Sequence, residues 1–86
     1  MLLLNEIPYR IGDYLKVEYQ DKYVILKITD IEFPKYFIHT IKSFIHGEIL
    51  SSNVPDLEQN IILIYDDESK DYITKINEKD LRVYLL

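Results

Sequence analysis

The sequence contains no cysteine, so it offers neither a disulfide framework nor a thiolate metal site, and the folded state has to rest on packing. It has only two glycines and three prolines, while 48% of its residues are hydrophobic. This composition excludes a disordered or linker-like chain. A length of 86 residues excludes large catalytic scaffolds and leaves room for one hydrophobic core. We therefore expect residues 1–86 to form a single domain.

Long hydrophobic runs are also missing. Residues 1–4 are apolar, but they fall far short of the roughly 18 residues needed to span a bilayer, and they lack the basic leader of a secretion signal. We expect a cytoplasmic protein without membrane contact. Leu2–Leu4 is expected to dock on the core as a strand, or to form an exposed edge that allows a homodimer.

Alanine is absent, and the chain has two Arg beside eight Lys, fourteen Ile and eight Tyr. Residues with AT-rich codons are thus favoured throughout. This bias indicates an AT-rich genome, such as that of a low-GC bacterium, one of its phages or an archaeal virus. It also accounts for part of the excess of Ile and Tyr without any function.

The net charge of −5 repels the phosphate backbone of nucleic acid unless basic residues cluster. They do not cluster along the sequence. Residues 56–71 form the most acidic segment, because six carboxylates face a single Lys70. Such a segment is typical of a solvated face, or of a surface that binds a basic partner. The charge therefore favours a host protein with a basic surface as partner and disfavours nucleic acid.

The first half of the chain predicts a hairpin. Residues 7–13 are turn-like, and Tyr14–Tyr19 alternates apolar and polar side chains with the period of a half-buried strand. The polar turn Gln20–Lys22 leads to a second β-branched run, Tyr23–Phe33. Partway along that run, the apolar residues change from one face of the strand to the other. We therefore predict a bulge or sharp bend near Thr29–Asp30 that keeps both apolar sets inside.

Residues 36–50 fit two structures. Apolar residues recur at i, i+4, i+7 and i+8 from Phe37, which predicts a helix over residues 36–46 with Gly47 as its C-terminal cap. The abundance of β-branched and aromatic residues favours a strand instead.

The second half of the chain predicts further strands. Ile61–Tyr65 is a run of five apolar residues, typical of a central strand covered on both faces. Asp66–Asp71 turns the chain, and Tyr72–Ile76 returns as the hairpin partner. Leu81–Leu86 alternates again and is expected to be the last strand. The fold class is therefore mainly β: a small barrel or curved antiparallel sheet of five to six strands, with the helix at 36–46 as an open alternative.

Two segments carry a resemblance to known folds. Ile11–Val17, a Gly-Asp turn followed by an alternating strand, is similar to the first strand of KOW-, Tudor- and related barrels, and Asn77–Val83 is similar to a closing strand. With the bent second strand, these segments resemble the SH3-like small β-barrels. The resemblance implies binding of a peptide, a nucleic acid or a protein surface without catalysis, and one such fold carries many functions.

Residues for catalysis or metal binding follow no motif. His39 and His46 lie seven positions apart, about 10 Å along a helix, which is too far for one metal ion to bridge. No serine lies in a Gly-x-Ser-x-Gly context, two isolated glycines cannot form a phosphate loop, and Asp66–Glu68 lacks the spacing of a calcium loop. We expect no enzyme activity, no metal and no cofactor.

Two sets of side chains are the candidate partner-binding residues. The first is the acidic set Asp66, Asp67, Glu68 and Asp71. The second is a set of tyrosines that the pattern places outward, Tyr14, Tyr36, Tyr72 and Tyr84. Rigid amphipathic rings supply contact area at low entropic cost and recur at interface hot spots.

These features predict a small acidic protein-interaction module. Its acidic surface would occupy a basic nucleic-acid site on a host defence protein, as expected of a phage- or virus-encoded inhibitor of the anti-CRISPR or anti-restriction kind. One alternative is a nucleic-acid-binding barrel that uses Tyr14, Lys16 and Lys27, with Lys42 in the same stripe. The other is a self-assembling virion component that pairs through exposed strand edges at either terminus.

Overall fold

The computed structural model describes residues 7–35 and 41–85, in which five strands form one antiparallel sheet. In chain order the elements are β1 Tyr14–Tyr19, β2 Lys22–Glu32, β3 Ile41–Ser52, β4 Asn60–Asp66, a 3₁₀ turn Ser69–Tyr72, β5 Ile73–Ile76 and helix α1 Glu78–Leu85. The order across the sheet is β4-β3-β2-β1-β5. The predicted mainly β fold is confirmed, whereas the predicted hairpin between Tyr72–Ile76 and Ile61–Tyr65 is wrong, because β5 pairs with β1 at the opposite edge of the sheet from β4. No helix within residues 7–35 and 41–85 is long and apolar enough to cross a membrane.

The chain enters the sheet through a tight turn and a hairpin, both as predicted. Asp13 Oδ2 accepts a hydrogen bond from the Arg10 backbone N–H at 2.9 Å, and Gly12 adopts a positive φ of 96°. β1 then pairs with β2 across the two-residue loop Gln20–Asp21. The turn around Gly12 therefore sets the point at which β1 begins.

β2 bends where its apolar phase changes. In the register with β3 the pairing steps from Ile28 to Asp30, so Thr29 is the extra residue of a bulge. The bulge predicted at this point is confirmed. Ile31 packs against the inner core as expected, whereas Phe33, also expected inside, keeps 43% of its surface exposed.

β3 takes the place of the helix that spacing allowed over residues 36–46. Residues 41–46 are strand, so the helix is wrong there, and residues 36–40 lie outside the described residues. β3 pairs with β2 on one side and β4 on the other, and this pairing uses backbone hydrogen-bonding groups that a helix would satisfy internally. The β-branched residues of the segment suit such a half-buried pleated surface.

Gly47 is a packing residue within β3 and not a helix cap. It is buried, and a Cβ at this position would lie 2.8 Å from Leu26 Cδ1. Leu26 is itself fully buried. The missing side chain at Gly47 therefore lets the leucine of β2 fill the core directly against the β3 backbone.

β4 is an edge strand, so the prediction of a central strand from its five apolar residues is wrong. Among the described residues β4 pairs only with β3. Ile61, Leu63 and Tyr65 pack against the core. Ile62 and Ile64 point to the opposite face and are 61% and 46% exposed. An apolar run in a sequence does not show whether other segments cover both faces of the strand that it forms.

The C-terminal segment forms α1, so the predicted last strand at Leu81–Leu86 is wrong. The Asn77 carbonyl accepts hydrogen bonds from the backbone N–H groups of Asp80 at 2.9 Å and Leu81 at 3.0 Å, which starts the helix. Leu81 is the buried residue of α1, whereas Val83 is 72% exposed. The apolar positions suit a helical face at i, i+3 and i+4 as well as they suit strand alternation.

Both faces of the sheet carry apolar clusters. The inner cluster contains Leu15, Leu26, Ile28, Ile45, Tyr65 and Ile73. Because Tyr65 and Ile73 come from the two edge strands, this cluster extends across the whole inner face of the sheet. The outer cluster contains Ile25, Ile76 and Leu81, where α1 covers the other face.

A tyrosine from the segment before β1 closes the inner cluster. Tyr9 packs edge-to-face on Tyr65, with ring centroids 5.6 Å apart. Burial raises the pKa of the Tyr9 hydroxyl, and the neighbouring Tyr65 raises it further. Tyr9 therefore anchors the described segment before β1 beside β4.

Candidate protein-interaction surface

Among the residues that the structure describes, α1 covers one half of the outer face of the sheet, and no other element covers the second, open half. On the open half, the register places three rows of side chains across β4, β3 and β2: Ile64, Phe44 and Glu32; Ile62, His46 and Asp30; and Asn60, Glu48 and Lys27. Side chains directly opposite each other in an antiparallel pair point to the same face. The first two rows therefore run from apolar side chains at the edge to carboxylates on β2.

Three of these side chains, Phe44, Ile62 and Ile64, form the outer patch. Ile62 is 61% exposed, Ile64 is 46% exposed, and Phe44 is half-buried. Single exposed apolar residues are common on protein surfaces, whereas contiguous apolar residues with a polar border are a feature of interaction sites. The outer patch is therefore the first candidate for contact with a partner.

Carboxylates border the outer patch. Asp30, Glu32 and Glu48 are exposed on the same face. His46 Nε2 lies 3.0 Å from Glu32 Oε1, and this pair links β3 to β2 beside Ile62. An apolar patch with an acidic border complements a basic segment that also carries apolar side chains.

Asp66, the first of the predicted acidic residues, holds the turn after β4 together. Its Oδ1 accepts hydrogen bonds from the backbone N–H groups of Ser69 at 2.7 Å and Glu68 at 3.0 Å. The backbone hydrogen bond from Ser69 is the main reason that the pKa of Asp66 lies below its ordinary value. The Asp66 N–H in turn donates to the Ser69 hydroxyl at 2.9 Å. This carboxylate is thus occupied by its own turn.

The other three predicted acids differ in how far they are paired. Asp67 Oδ1 lies 3.2 Å from Lys42 Nζ and 3.9 Å from Lys70 Nζ. Glu68 and Asp71 are exposed and form no salt bridge with another described residue. Glu68 and Asp71 are therefore the acids of the turn that remain available to a partner.

The predicted tyrosines do not form one face. Tyr72 packs edge-to-face on Tyr19 with ring centroids 4.9 Å apart. Tyr14 is half-buried against the outer cluster, and Tyr84 lies on α1. Tyr36 lies outside the described residues. In the part of the chain that the structure describes, no ring contact joins two of the predicted tyrosines.

The lysines of the nucleic-acid alternative contact different neighbours. Lys16 Nζ lies 4.9 Å from the centroid of the Tyr84 ring. Lys27 Nζ lies 6.0 Å from the centroid of the Tyr14 ring. Lys42 lies on β3 beside Asp67, in the turn after β4. Each ammonium group therefore faces a different neighbour.

Sequence reasoning missed the outer patch. The signal for the outer patch was the alternation within β4, in which Ile62 and Ile64 occupy the positions between core residues. The prediction of a central strand instead places all five apolar residues in buried positions. Polar loops flank this run on both sides, and such flanks suit an edge strand as well as a central one. Only the position of β4 in the sheet separates the two cases.

No group of three or more His, Asp and Glu side chains in the described ranges is arranged to hold a metal ion, and His39 falls in the gap between those ranges. No protein-family model, curated protein or solved structure matches the chain. The chemistry of the open surface is therefore the basis for assigning a function.

Proposed function

We propose that this chain is a protein-interaction module whose outer patch binds a basic segment of a partner protein. The observation that carries the proposal is the exposure of Ile62 and Ile64, 61% and 46%, on one face of β4. Removing apolar surface from water favours association. The apolar side chains thus supply affinity, and the bordering carboxylates select a partner of opposite charge.

Charge supports a basic partner at longer range. The chain carries a net charge of −5, and Glu68 and Asp71 are exposed directly after β4. Long-range attraction speeds association with a basic protein and weakens as salt is added. Nucleic-acid-handling proteins carry such basic surfaces. We therefore propose that the module inhibits a host defence protein of that kind in the cytoplasm, by occupying a surface and not by catalysis.

An SH3-like arrangement is the finer form of the fold proposal. The turn and strand at Ile11–Val17, the five-strand antiparallel sheet and the bulge at Thr29 support it. Asn77–Val83 does not support it, because this segment begins α1 where the resemblance implies a closing strand. The bias toward residues with AT-rich codons supports the phage or viral origin of the proposed inhibitor.

Quantitative co-purification from a lysate of a low-GC bacterium tests the outer patch. The variant Ile62→Thr/Ile64→Thr replaces apolar surface with hydroxyls while keeping the side chains β-branched. Val83→Thr is the matched control, because Val83 is 72% exposed on α1 and does not belong to the outer patch. We expect the wild type and the control to retain a basic protein, and the outer-patch variant to retain about tenfold less of it.

A second variant separates charge from apolar contact. Glu68→Lys/Asp71→Lys reverses two exposed acids and leaves the hydrogen bonds to the Asp66 carboxylate in place, because those come from backbone groups. Capture by this variant is expected to fall at low salt and to approach that of the wild type as salt rises. Equal capture by the wild type and the Ile62→Thr/Ile64→Thr variant, or retention of acidic proteins alone, would contradict the proposal.

A further inference from the structure

β4 has the properties of a strand that pairs with another chain. It spans Asn60–Asp66, and among the described residues its only strand partner is β3. An edge strand presents a row of backbone N–H and C=O groups, which natural proteins usually protect with Lys, Pro or a bulge. Between its two ends β4 contains only apolar residues. The register shift in the β3–β4 pair leaves Lys42 of β3 as the extra residue, so β4 itself has no bulge.

The opposite edge of the sheet is built differently. β5 has four residues, Ile73–Ile76, and one of them is the exposed Lys75. A short strand with a lysine is poorly suited to pairing with a second chain. The two edges therefore differ in the features that decide whether an edge pairs, and β4 is the one suited to it.

We propose that two copies of this chain pair through their β4 strands, antiparallel about a two-fold axis at Leu63, and so form one continuous sheet. An isologous contact of this kind uses the same surface on both copies, so the strand has to be complementary to itself. The full seven-residue overlap meets that condition. It places each residue opposite one of the second copy as follows: Leu63 with Leu63, Ile62 with Ile64, Ile61 with Tyr65, and Asn60 with Asp66.

Other registers lose this complementarity. A shift by two residues places either Asp66 opposite Ile62 or Asn60 opposite Ile64, and leaves strand ends unpaired. A shift by one residue places inner-face side chains of one copy beside outer-face side chains of the other. Cross-strand apolar pairs each stabilise a sheet by about 0.2–1 kcal/mol, so the full overlap is favoured.

Electrostatic repulsion does not oppose the full overlap. The two Asp66 residues lie at opposite ends of the new strand pair, about 20 Å apart along the strand direction. That separation exceeds the Debye length of about 8 Å at physiological salt. The dimer would also join two outer patches into one apolar stripe, although the pairing itself does not depend on the proposed partner.

Sedimentation velocity of the purified full chain, from about 1 to 100 µM, measures the dimer Kd. We expect a species of twice the 10.3 kDa chain mass. Asn60→Lys places a cation opposite Asp66 at both ends of the interface, and it should lower the Kd by about threefold to tenfold, whereas Asn60→Asp should raise it by a similar factor. Thr74→Lys and Thr74→Asp make the same charge changes on β5, and they should leave the Kd unchanged.

Single-cysteine variants test the register, because the chain has no cysteine of its own. In the full overlap only residue 63 lies opposite its own copy, within the Cα separation of about 4.4–6.8 Å that a disulfide requires. Copies of residue 62, or of residue 64, are diagonal neighbours about 7–8 Å apart. Mild oxidation should therefore cross-link Leu63→Cys and leave Ile62→Cys and Ile64→Cys uncross-linked.

A monomer throughout the concentration range would overturn this inference. A dimer that does not respond to position 60, or a disulfide at position 62 or 64 in place of 63, would overturn it as well. The proposed function can fail separately, because co-purification compares side chains of the outer patch and does not require the backbone of β4 to pair.

Discussion

The two halves of the outer face carry the same type of side chain in different environments. On the covered half, Ile25 of β2 and Ile76 of β5 lie beneath α1 and are 0% and 5% exposed. On the open half, Ile62 and Ile64 of β4 are 61% and 46% exposed. All four residues are strand isoleucines on one face of one sheet. The difference in exposure therefore comes from α1, which covers one pair of isoleucines, and not from the strands themselves.

The length of α1 explains why the cover stops. Its eight residues extend about 12 Å at 1.5 Å per residue, whereas five strands spaced about 4.8 Å apart extend about 19 Å. One short helix cannot cover such a face completely. The half that no described residue covers is therefore the part of the sheet that has apolar surface left for another molecule.

The largest expected effect comes from removing the cover. Leu81→Ala deletes the buried side chain of α1 and should lower the free energy of unfolding by about 2–4 kcal/mol. Val83→Ala, on the exposed side of the same helix, should change it by less than about 0.5 kcal/mol. Urea titration followed by circular dichroism measures both. Equal effects of the two variants would show that α1 does not cover the outer cluster.

The next effect tests the inner face beneath the open half. Gly47→Ala introduces a Cβ 2.8 Å from Leu26 Cδ1 and should destabilise the fold by about 1–3 kcal/mol. A second change, Leu26→Val, removes the crowded methyl groups, so the double variant should lose less stability than the sum of the single variants. Additive losses in urea titrations would mean that the two residues do not compete for the same space.

A smaller effect compares the two halves directly. Ile76→Val removes one methyl group beneath α1 and should cost about 0.5–1.5 kcal/mol of unfolding free energy. Ile62→Val removes the same group on the open half and should cost less than about 0.5 kcal/mol. Thermal melts of both variants at one protein concentration provide the measurement. A larger loss at Ile62 would indicate that another segment or chain covers it.

The smallest effect concerns the acidic turn at the end of the open half. The folded state lowers the pKa of Asp66, so its ionised carboxylate contributes stability above the unfolded pKa of about 3.9, and this contribution is lost as pH falls through the folded value. Asp66→Asn should slightly lower stability at pH 7 and flatten the decline between about pH 5 and pH 2. Unfolding midpoints measured across that range test this, with the exposed Asp71→Asn as the control.

Local patterns predicted the parts of the fold that local interactions decide. The period of two over β1 and the polar residues at Gln20–Asp21 were enough to predict the first hairpin. The change of phase in β2 predicted the bulge at Thr29, because a one-residue slip would otherwise move the later apolar residues to the wrong face. These features depend on residues that are close together in the sequence.

The parts that sequence reasoning missed depend on distant segments. Ile61–Tyr65 has the composition of a central strand, but its place at the sheet edge follows from the order of all five strands. Leu81–Leu85 fits two periodicities, and contact with Ile25 and Ile76 favours the helix. The same limit applies to the site: the acidic residues were visible in the sequence, whereas the commitment of Asp66 to its own turn was not.

Pairing of β1 with β5 has a consequence for how the molecule folds and opens. Tyr14 lies opposite Ile76, close to the two ends of the described chain, whereas the other strand pairings join neighbours in sequence. Contacts between distant segments require a large loop to close and form slowly. We expect β5 and α1 to dock last and detach first, and amide hydrogens in Ile73–Ile76 to exchange faster than those in the central strands. Each such opening uncovers Ile25, so for a short time both halves of the outer face present isoleucine to the solvent.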